Sequence, residues 1–146
     1  MSTIWTNGCF DMLHAGHVEF LRKCRYLADD VVVFMNSDES VRGLKGPDRP
    51  IIPQNERMSM LLDTKLANFV VMYDEPTAVR VMQEQSIRPR LYARSTDEDL
   101  RSTPEGQLLL SWGVPIVMIP TENKARTTGL IDRIVSRYAA RTVSGS

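Results

Sequence analysis

The chain is poor in the residues from which disulfide frameworks and metal modules are built. It has two cysteines, Cys9 and Cys24, and two histidines among 146 residues. The cysteines show no CxxC or related ligand spacing, so neither a disulfide scaffold nor a zinc module is encoded. No apolar run is long enough to span a bilayer and no secretory leader is recognisable, so the chain is expected to be cytoplasmic and free of membrane contacts. Net charge is also missing: eighteen basic residues balance eighteen acidic ones. That balance argues against a general nucleic-acid or membrane-surface binder while allowing a local basic cleft. Repeats and low-complexity blocks are absent. What is present is ordinary for one globular domain with a single core, 42% hydrophobic and 25% charged, and the expected division is a domain over 1–140 with a flexible tail over 141–146.

The two histidines, His14 and His17, fall in one four-residue window of the stretch Thr6-Asn7-Gly8-Cys9-Phe10-Asp11-Met12-Leu13-His14-Ala15-Gly16-His17. A short β-branched and aromatic run precedes this stretch and an amphipathic helix follows it, so it occupies a strand-to-helix turn. A lone histidine at a helix start is most often a cap or a satisfied polar group. Two of them without further ligands do not make a metal site. A phosphate site fits better. Imidazole donors, the N–H groups at a helix head, and a glycine at position 8 that lets a ligand approach the backbone would converge on one anion.

Elsewhere the pattern alternates. Val31-Val32-Val33-Phe34-Met35 is a continuous apolar run of the kind that a strand buried on both faces shows. Further strands are expected at 3–6, 69–73, 91–93 and 115–119. Helices are expected after the motif, from about Glu56 to Leu66, from Pro76, from Glu105 to Trp112, and at the end, where Leu130, Ile131, Ile134, Val135 and Tyr138 form one stripe. Asn36-Ser37-Asp38 ends the second strand, and Glu39 to Asn55 reads as a solvated loop. The expected fold is α/β: a single Rossmann-like domain, a parallel sheet with helices on both faces. Ligands then sit beyond the carboxyl ends of the strands, where Arg126-Thr127-Thr128 opens the last helix and offers a second anion site.

The run Gly8 to His17 resembles the signature of the cytidylyltransferase-like branch of nucleotidyltransferases, whose hallmark is His-x-Gly-His after the first strand. The resemblance extends from Thr6 to about Ile134. Leu44-Lys45-Gly46-Pro47-Asp48-Arg49-Pro50, followed by Arg57, is similar to a family segment that places a lysine and an arginine over the active site. Within the family the chain looks most like members that adenylylate a heptose 1-phosphate, and it is also similar to glycerol-3-phosphate cytidylyltransferases. The resemblance implies transfer of a nucleotidyl group from ATP or CTP to a small phosphorylated acceptor, with magnesium accompanying the triphosphate and the protein acting as a homodimer. It implies catalytic roles for His14, His17 and Lys45. Gly8, Cys9, Phe10, Gly16, His17, Arg126, Thr127 and Thr128 would bind the nucleotide. Asp11, Asn36, Asp38 and Lys45 would bind the substrate, while Arg57 stands evenly between ligand contact and structural ion pair; Arg94 is added as a substrate contact by its place where the fourth expected strand opens into the crevice.

One stretch departs from the family. After Leu91 a glycine-bearing Lys-Gly-Gly-Asp or Gly-Asp-Asp segment is usual, and this chain has Ala93-Arg94-Ser95-Thr96-Asp97. With Arg88 and Arg90 just before it, this edge is expected to be more basic than the family pattern and to favour an anionic acceptor. Two other classes fit parts of the sequence. A nucleotide-binding regulator without turnover would tolerate the altered stretch, and a phosphate-binding electron-transfer or stress-type domain would share the topology without needing both histidines.

Overall fold

The computed structural model describes residues 2–95, 99–122 and 126–144, with side chains to residue 139. Five strands form one parallel sheet: β1 (Thr3–Gly8), β2 (Asp30–Asn36), β3 (Phe69–Tyr73), β4 (Leu91–Arg94) and β5 (Ile116–Met118). Their order is β3-β2-β1-β4-β5. The chain therefore winds outward from β1 in one direction and then, after crossing back to β4, in the other. The crevice at this reversal lies beyond the carboxyl ends of β1 and β4, where open α/β sheets bind their ligands.

Alternation along β2 explains how both faces are covered. Val31, Val33 and Met35 join Ile4, Leu21, Cys24 and Leu61 in a core beneath α1 (Ala15–Leu27) and α3 (Gln54–Asp63). Val32 and Phe34 join Trp5, Tyr92, Met82 and Leu109 in a second core beneath α4 (Val79–Gln83) and α5 (Pro104–Ser111). Trp5 meets Phe34 edge-on at 4.7 Å. A strand that places an apolar side chain on each face must be apolar throughout, and this one is.

Three expectations need correction. Glu39 to Lys45 is no loop: α2 runs Asp38–Lys45, with Ser37 Oγ accepting from the Ser40 N–H at 3.2 Å, Asp38 and Glu39 in the first turn, and Gly46 ending it at φ 99°. Two glycines and nearby prolines masked a complete set of start and stop signals. Pro76 does not open a helix. The segment before α4 is fixed instead by tertiary bonds, Ser40 Oγ to the Glu75 carbonyl and the Ala78 N–H to Glu105 Oε1, and α4 starts at Val79. The stripe on α6 (Thr127–Ser144) is only partly covered, with Ile134, Val135 and Tyr138 about half exposed. Of the expected tail, 141–144 is helical backbone and 145–146 lies outside the described residues, as do Thr96 and Asp97 of the altered stretch.

Two helical glycines differ in what a methyl group would meet. At Gly106 a Cβ would fall 1.6 Å from the Leu100 carbonyl oxygen, whereas at Gly43 nothing lies within 4 Å. Gly106→Ala is expected to cost at least about 2 kcal/mol by forcing backbone apart, and Gly43→Ala to gain about 0.5–1 kcal/mol by restricting the unfolded chain. Urea denaturation of both variants checks the pair, and equal effects would contradict the packing described.

Candidate active site

The loop from Cys9 to His14 has an unusual backbone. Phe10 and Met12 both take left-handed conformations, φ 51° and 52°, which side-chain-bearing residues adopt only when their surroundings impose it. Three sets of bonds do so. Arg57, only 1% exposed, donates through Nη1 to the Cys9 carbonyl (2.7 Å) and the Asn36 carbonyl (2.8 Å). It also donates through Nε to the Ile52 carbonyl (2.8 Å) and through Nη2 to Asp38 Oδ1 (2.9 Å). The Asp11 carboxylate accepts from the Ile51 and Ile52 N–H groups at 2.8 and 2.9 Å. Thr127 Oγ1 donates to the Asp11 carbonyl at 2.7 Å, linking the loop to the head of α6.

At the head of α1 the imidazoles cap their own helix. His14 Nδ1 accepts from the Gly16 N–H at 3.1 Å and His17 Nδ1 accepts from the His14 N–H at 3.2 Å. With Nδ1 an acceptor in both, each neutral ring carries its proton on Nε2, a donor left for another partner. The rings stack 3.8 Å apart, and His17 also lies 5.2 Å from Phe10. Burial, then the charges of His14, Lys45 and Arg126, push His17 down to about 4 against a weaker pull from Asp11. His14 is lowered by burial and by Arg126. Both rings are therefore neutral donors at neutral pH.

Around them opens a cleft of about 530 Å³ lined by His14, Gly16, His17, Lys45, Arg49, Arg94, Ser95, Thr121, Arg126, Thr127 and Thr128. Among the described residues, none that lines it is acidic. Neither α1 nor α6, whose heads face the cleft, has an acidic residue in its first turn, whereas α2, α3 and α5 each do. Two positive helix ends, four cationic side chains and two Nε2–H donors are thus gathered, with the Asp11 carboxylate 3.9 Å from Arg49 as a counter-charge behind the wall. A smaller cavity of about 160 Å³, lined by Thr6, Asn7, Gly8, Cys9, Phe10, Phe20 and the shared His17, Arg94 and Ser95, continues it. The Cys9 thiol here stays protonated, raised by burial against the lowering influence of Lys45 and Arg57.

The structure thus brings together most of the residues singled out in the sequence: His14, His17, Gly16, Lys45, Arg94, Arg126, Thr127 and Thr128 in the cleft, and Gly8, Cys9 and Phe10 in its extension. Asp11, Asn36 and Asp38 lie behind the wall. The Asp11 carboxylate holds the 51–52 backbone. The Asn36 amide donates to Ser40 Oγ at 2.9 Å and accepts from the Cys9 thiol at 3.6 Å. Asp38 pairs with Arg57. The expected basic edge reduces to Arg94, because Arg88 and Arg90 sit at the amino end of β4. There Arg88 covers the Trp112 ring at 4.6 Å and the Arg90 N–H donates to the Thr3 carbonyl. Strand direction, which places only the carboxyl end at the crevice, separates them.

Sequence reading missed two residues. Glu105 is buried on α5 and accepts from the Ala78 N–H (2.9 Å) and from Asn7 Nδ2 (3.5 Å), while the Tyr92 hydroxyl donates to Asn7 Oδ1. Arg94 is hydrogen-bonded with that same hydroxyl, so a polar chain runs from the cleft to α5. Glu105 has no local signal, being an ordinary acidic residue in a first helical turn. Arg49 also lines the cleft and carried a signal in its neighbourhood to Lys45.

This arrangement defines a class: a doubly wound α/β domain with a cationic crevice at its switch point. The match to known proteins agrees. The model of the cytidylyltransferase-like family matches residues 5–130, and the chain belongs to that family. It is 37% identical over 137 residues to the bifunctional protein HldE of Syntrophotalea carbinolica, covering 94% of this chain and 28% of that protein. With the bifunctional protein HldE of Pelobacter propionicus the identity is 38% over 140 residues, covering 93% and 28%. The chain thus spans little more than a quarter of the curated relatives that it matches. A lipopolysaccharide core biosynthesis protein from Thermoplasma volcanium shares the fold, with a TM-score of 0.69 at 24% identity over 84% of this chain and 99% of that one.

Arg57→Ala would leave three carbonyls and a carboxylate without their donor, and is expected to cost about 3–5 kcal/mol in urea denaturation. Arg57→Lys is expected to recover only a minor part, since one ammonium cannot reproduce a planar fork serving four acceptors. A loss below about 1 kcal/mol in the alanine variant would contradict the structural role.

Proposed function

We propose that this domain transfers a nucleotidyl group from ATP or CTP to a small sugar phosphate of the heptose 1-phosphate type, releasing pyrophosphate. The observation that carries the reading is the cationic cleft in which two helix heads, two imidazole Nε2–H groups and the cations of Lys45, Arg49, Arg94 and Arg126 converge. An acceptor phosphate oxygen attacks the α-phosphorus of the triphosphate, the bond from that phosphorus to the β-bridging oxygen breaks, and pyrophosphate carries the electron pair away. No covalent enzyme intermediate is required, so catalysis rests on alignment and on donors aimed at charge that develops in the transition state. His14 and His17 would hold the triphosphate and stabilise that charge. Arg126, Thr127 and Thr128 would hold its far end at the head of α6, Lys45 would neutralise charge between the reactants, and Arg94 would contact the acceptor.

Magnesium enters this reading as a companion of the triphosphate, held by phosphate oxygens and water. The cleft does not fit a resident ion. Its lining is cationic, the nearby Asp11 carboxylate is committed to two backbone N–H groups, and no metal-holding group of three His, Cys, Asp or Glu occurs among the described residues. No step is therefore assigned to a protein-bound metal.

Pyrophosphate release from ATP and CTP against a panel of sugar phosphates and glycerol 3-phosphate tests the reading. A heptose 1-phosphate is expected to be among the accepted substrates, and glycerol 3-phosphate turnover with CTP alone would favour a glycerol-3-phosphate type of activity. Binding of triphosphate without pyrophosphate release from any acceptor would favour a regulatory domain. With an active pair in hand, His14→Ala and His17→Ala are each expected to lower kcat about a hundredfold or more while remaining folded. Wild-type turnover in either variant would sink the mechanism.

A further inference from the structure

We infer that the Tyr92 hydroxyl and Glu105, neither of which lines the cleft, are positioning residues that fix the direction in which Arg94 presents its guanidinium to the acceptor's phosphate. This rests on the nucleotidyl-transfer reading above. The argument starts from strand alternation. Trp5, Phe34, Tyr73 and Tyr92 lie on the sheet face that α4 and α5 cover, and Trp5 pairs in register with Tyr92. Two residues further on, Asn7 and Arg94 are therefore neighbours at the carboxyl edge of that same face. The apolar packing of the face thus gives way to polar groups where the strands reach the crevice, and Tyr73, Tyr92, Asn7 and Glu105 are all buried there. Buried polar groups are tolerated only when they are hydrogen-bonded, and apolar side chains of the same shape would cover the face without that demand.

The bonds run in one direction. A guanidinium donates and cannot accept, so in the bond between Arg94 and Tyr92 an Arg94 N–H donates to the phenol oxygen. The Tyr92 O–H donates in turn to Asn7 Oδ1, and Asn7 Nδ2 donates to Glu105 Oε1 at 3.5 Å. Glu105 Oε1 also accepts from the Ala78 N–H at 2.9 Å, which anchors the carboxylate to the start of α4. Every donor points away from the cation and toward the carboxylate, so each bond polarises the next in the same sense. Burial pushes the Tyr73 and Tyr92 phenols up, and both also feel the opposed charges of Arg94 and Glu105. Tyr92 thus keeps the proton that the chain of bonds uses.

Arg94 is where this chain meets the ligand, since it lines both the cleft and the smaller cavity that continues it. An arginine side chain has many rotamers, and holding it in one before binding removes that entropy from the cost of binding. Held through one N–H, the planar fork has a defined tilt. That tilt decides whether a phosphate can accept two parallel N–H bonds from it. Asn7 itself lines the smaller cavity, so Tyr92 and Glu105 are the members that can be altered without touching the space for ligand.

The test is steady-state kinetics of wild type, Tyr92→Phe and Glu105→Gln, each also in an Arg94→Ala background, with ATP and a heptose 1-phosphate. Tyr92→Phe keeps the buried ring and removes only its oxygen. Glu105→Gln keeps an acceptor for the Ala78 N–H and removes the charge. In each variant the acceptor KM is expected to rise about fivefold or more, with the ATP KM within about twofold of wild type. In the Arg94→Ala background the same substitutions are expected to change the acceptor KM by less than about twofold, because a positioning residue has no effect once the group that it positions is gone. Circular dichroism melts check that each protein is folded, and Tyr92→Phe decides alone if Glu105→Gln is not. An unchanged acceptor KM in either folded variant would overturn the inference, as would effects that multiply in full with that of Arg94→Ala, the outcome of a merely structural role. Absence of turnover in wild type would count against the nucleotidyl-transfer reading rather than against the network. Calorimetric titration of the same proteins with inorganic phosphate then decides separately. Binding weakened about threefold or more by Tyr92→Phe, and not weakened further by it in the Arg94→Ala background, supports the positioning role. Equal affinity of wild type and Tyr92→Phe removes it.

Discussion

The guanidinium of Arg57 is the constraint on which the rest of the site depends. Buried at the junction of β1, β2, α2 and the segment before α3, it donates to the carbonyls of Cys9, Asn36 and Ile52 and to the Asp38 carboxylate. Those acceptors come from three separate stretches, and each stretch either carries or supports a wall of the cleft. A buried charge is tolerable only when its donors are used, and here the planar fork is used on both sides. Its ion pair with Asp38 matters less for net stability than for fixing where these chain segments meet.

From this junction outward the site is held by backbone rather than by side chains reaching for one another. Phe10 and Met12 stay in left-handed conformations because the Cys9 carbonyl, the Asp11 carbonyl and the Asp11 carboxylate are each anchored to a different element. The consequence is electrostatic. His14 and His17 turn their Nδ1 atoms to their own helix, leaving their Nε2–H groups for another partner in a cleft that they share with Lys45, Arg49, Arg94 and Arg126.

Much of this could be read from the residues. Five strands in a parallel sheet followed from the all-apolar β2 and the alternation with helices, and the crevice from the general rule for open α/β sheets. Other features depended on contacts distant in sequence. Asp11 looked like a substrate group because it sits inside the motif, yet its carboxylate is used forty residues away on Ile51 and Ile52. Arg57 could not be assigned until its four acceptors were seen together. The helix α2 had its full set of caps in the sequence, but Gly43 and Gly46 pointed to a loop. Arg88 and Arg90 lie near Arg94 in sequence and at the opposite end of the strand in space. Glu105 meets Asn7 across ninety-eight residues, a pairing that no local pattern encodes.

The central claim is that the cleft holds neutral imidazoles whose charge is suppressed until a polyanion arrives. Folding depresses His17 to about 4, below the ordinary value of 6.5. A bound polyanion favours the charged form and raises that value. Between the free and the bound value the complex holds more proton than the free protein, so binding takes up protons and tightens as pH falls through that window. The direct measurement is an NMR titration of the two histidine Cε1–H signals, which report separate groups, with and without pyrophosphate. The account predicts a His17 midpoint near 4 in the free protein and an upward shift of at least one unit when pyrophosphate is bound. A free midpoint near 6.5, or a midpoint that pyrophosphate leaves unmoved, would contradict it.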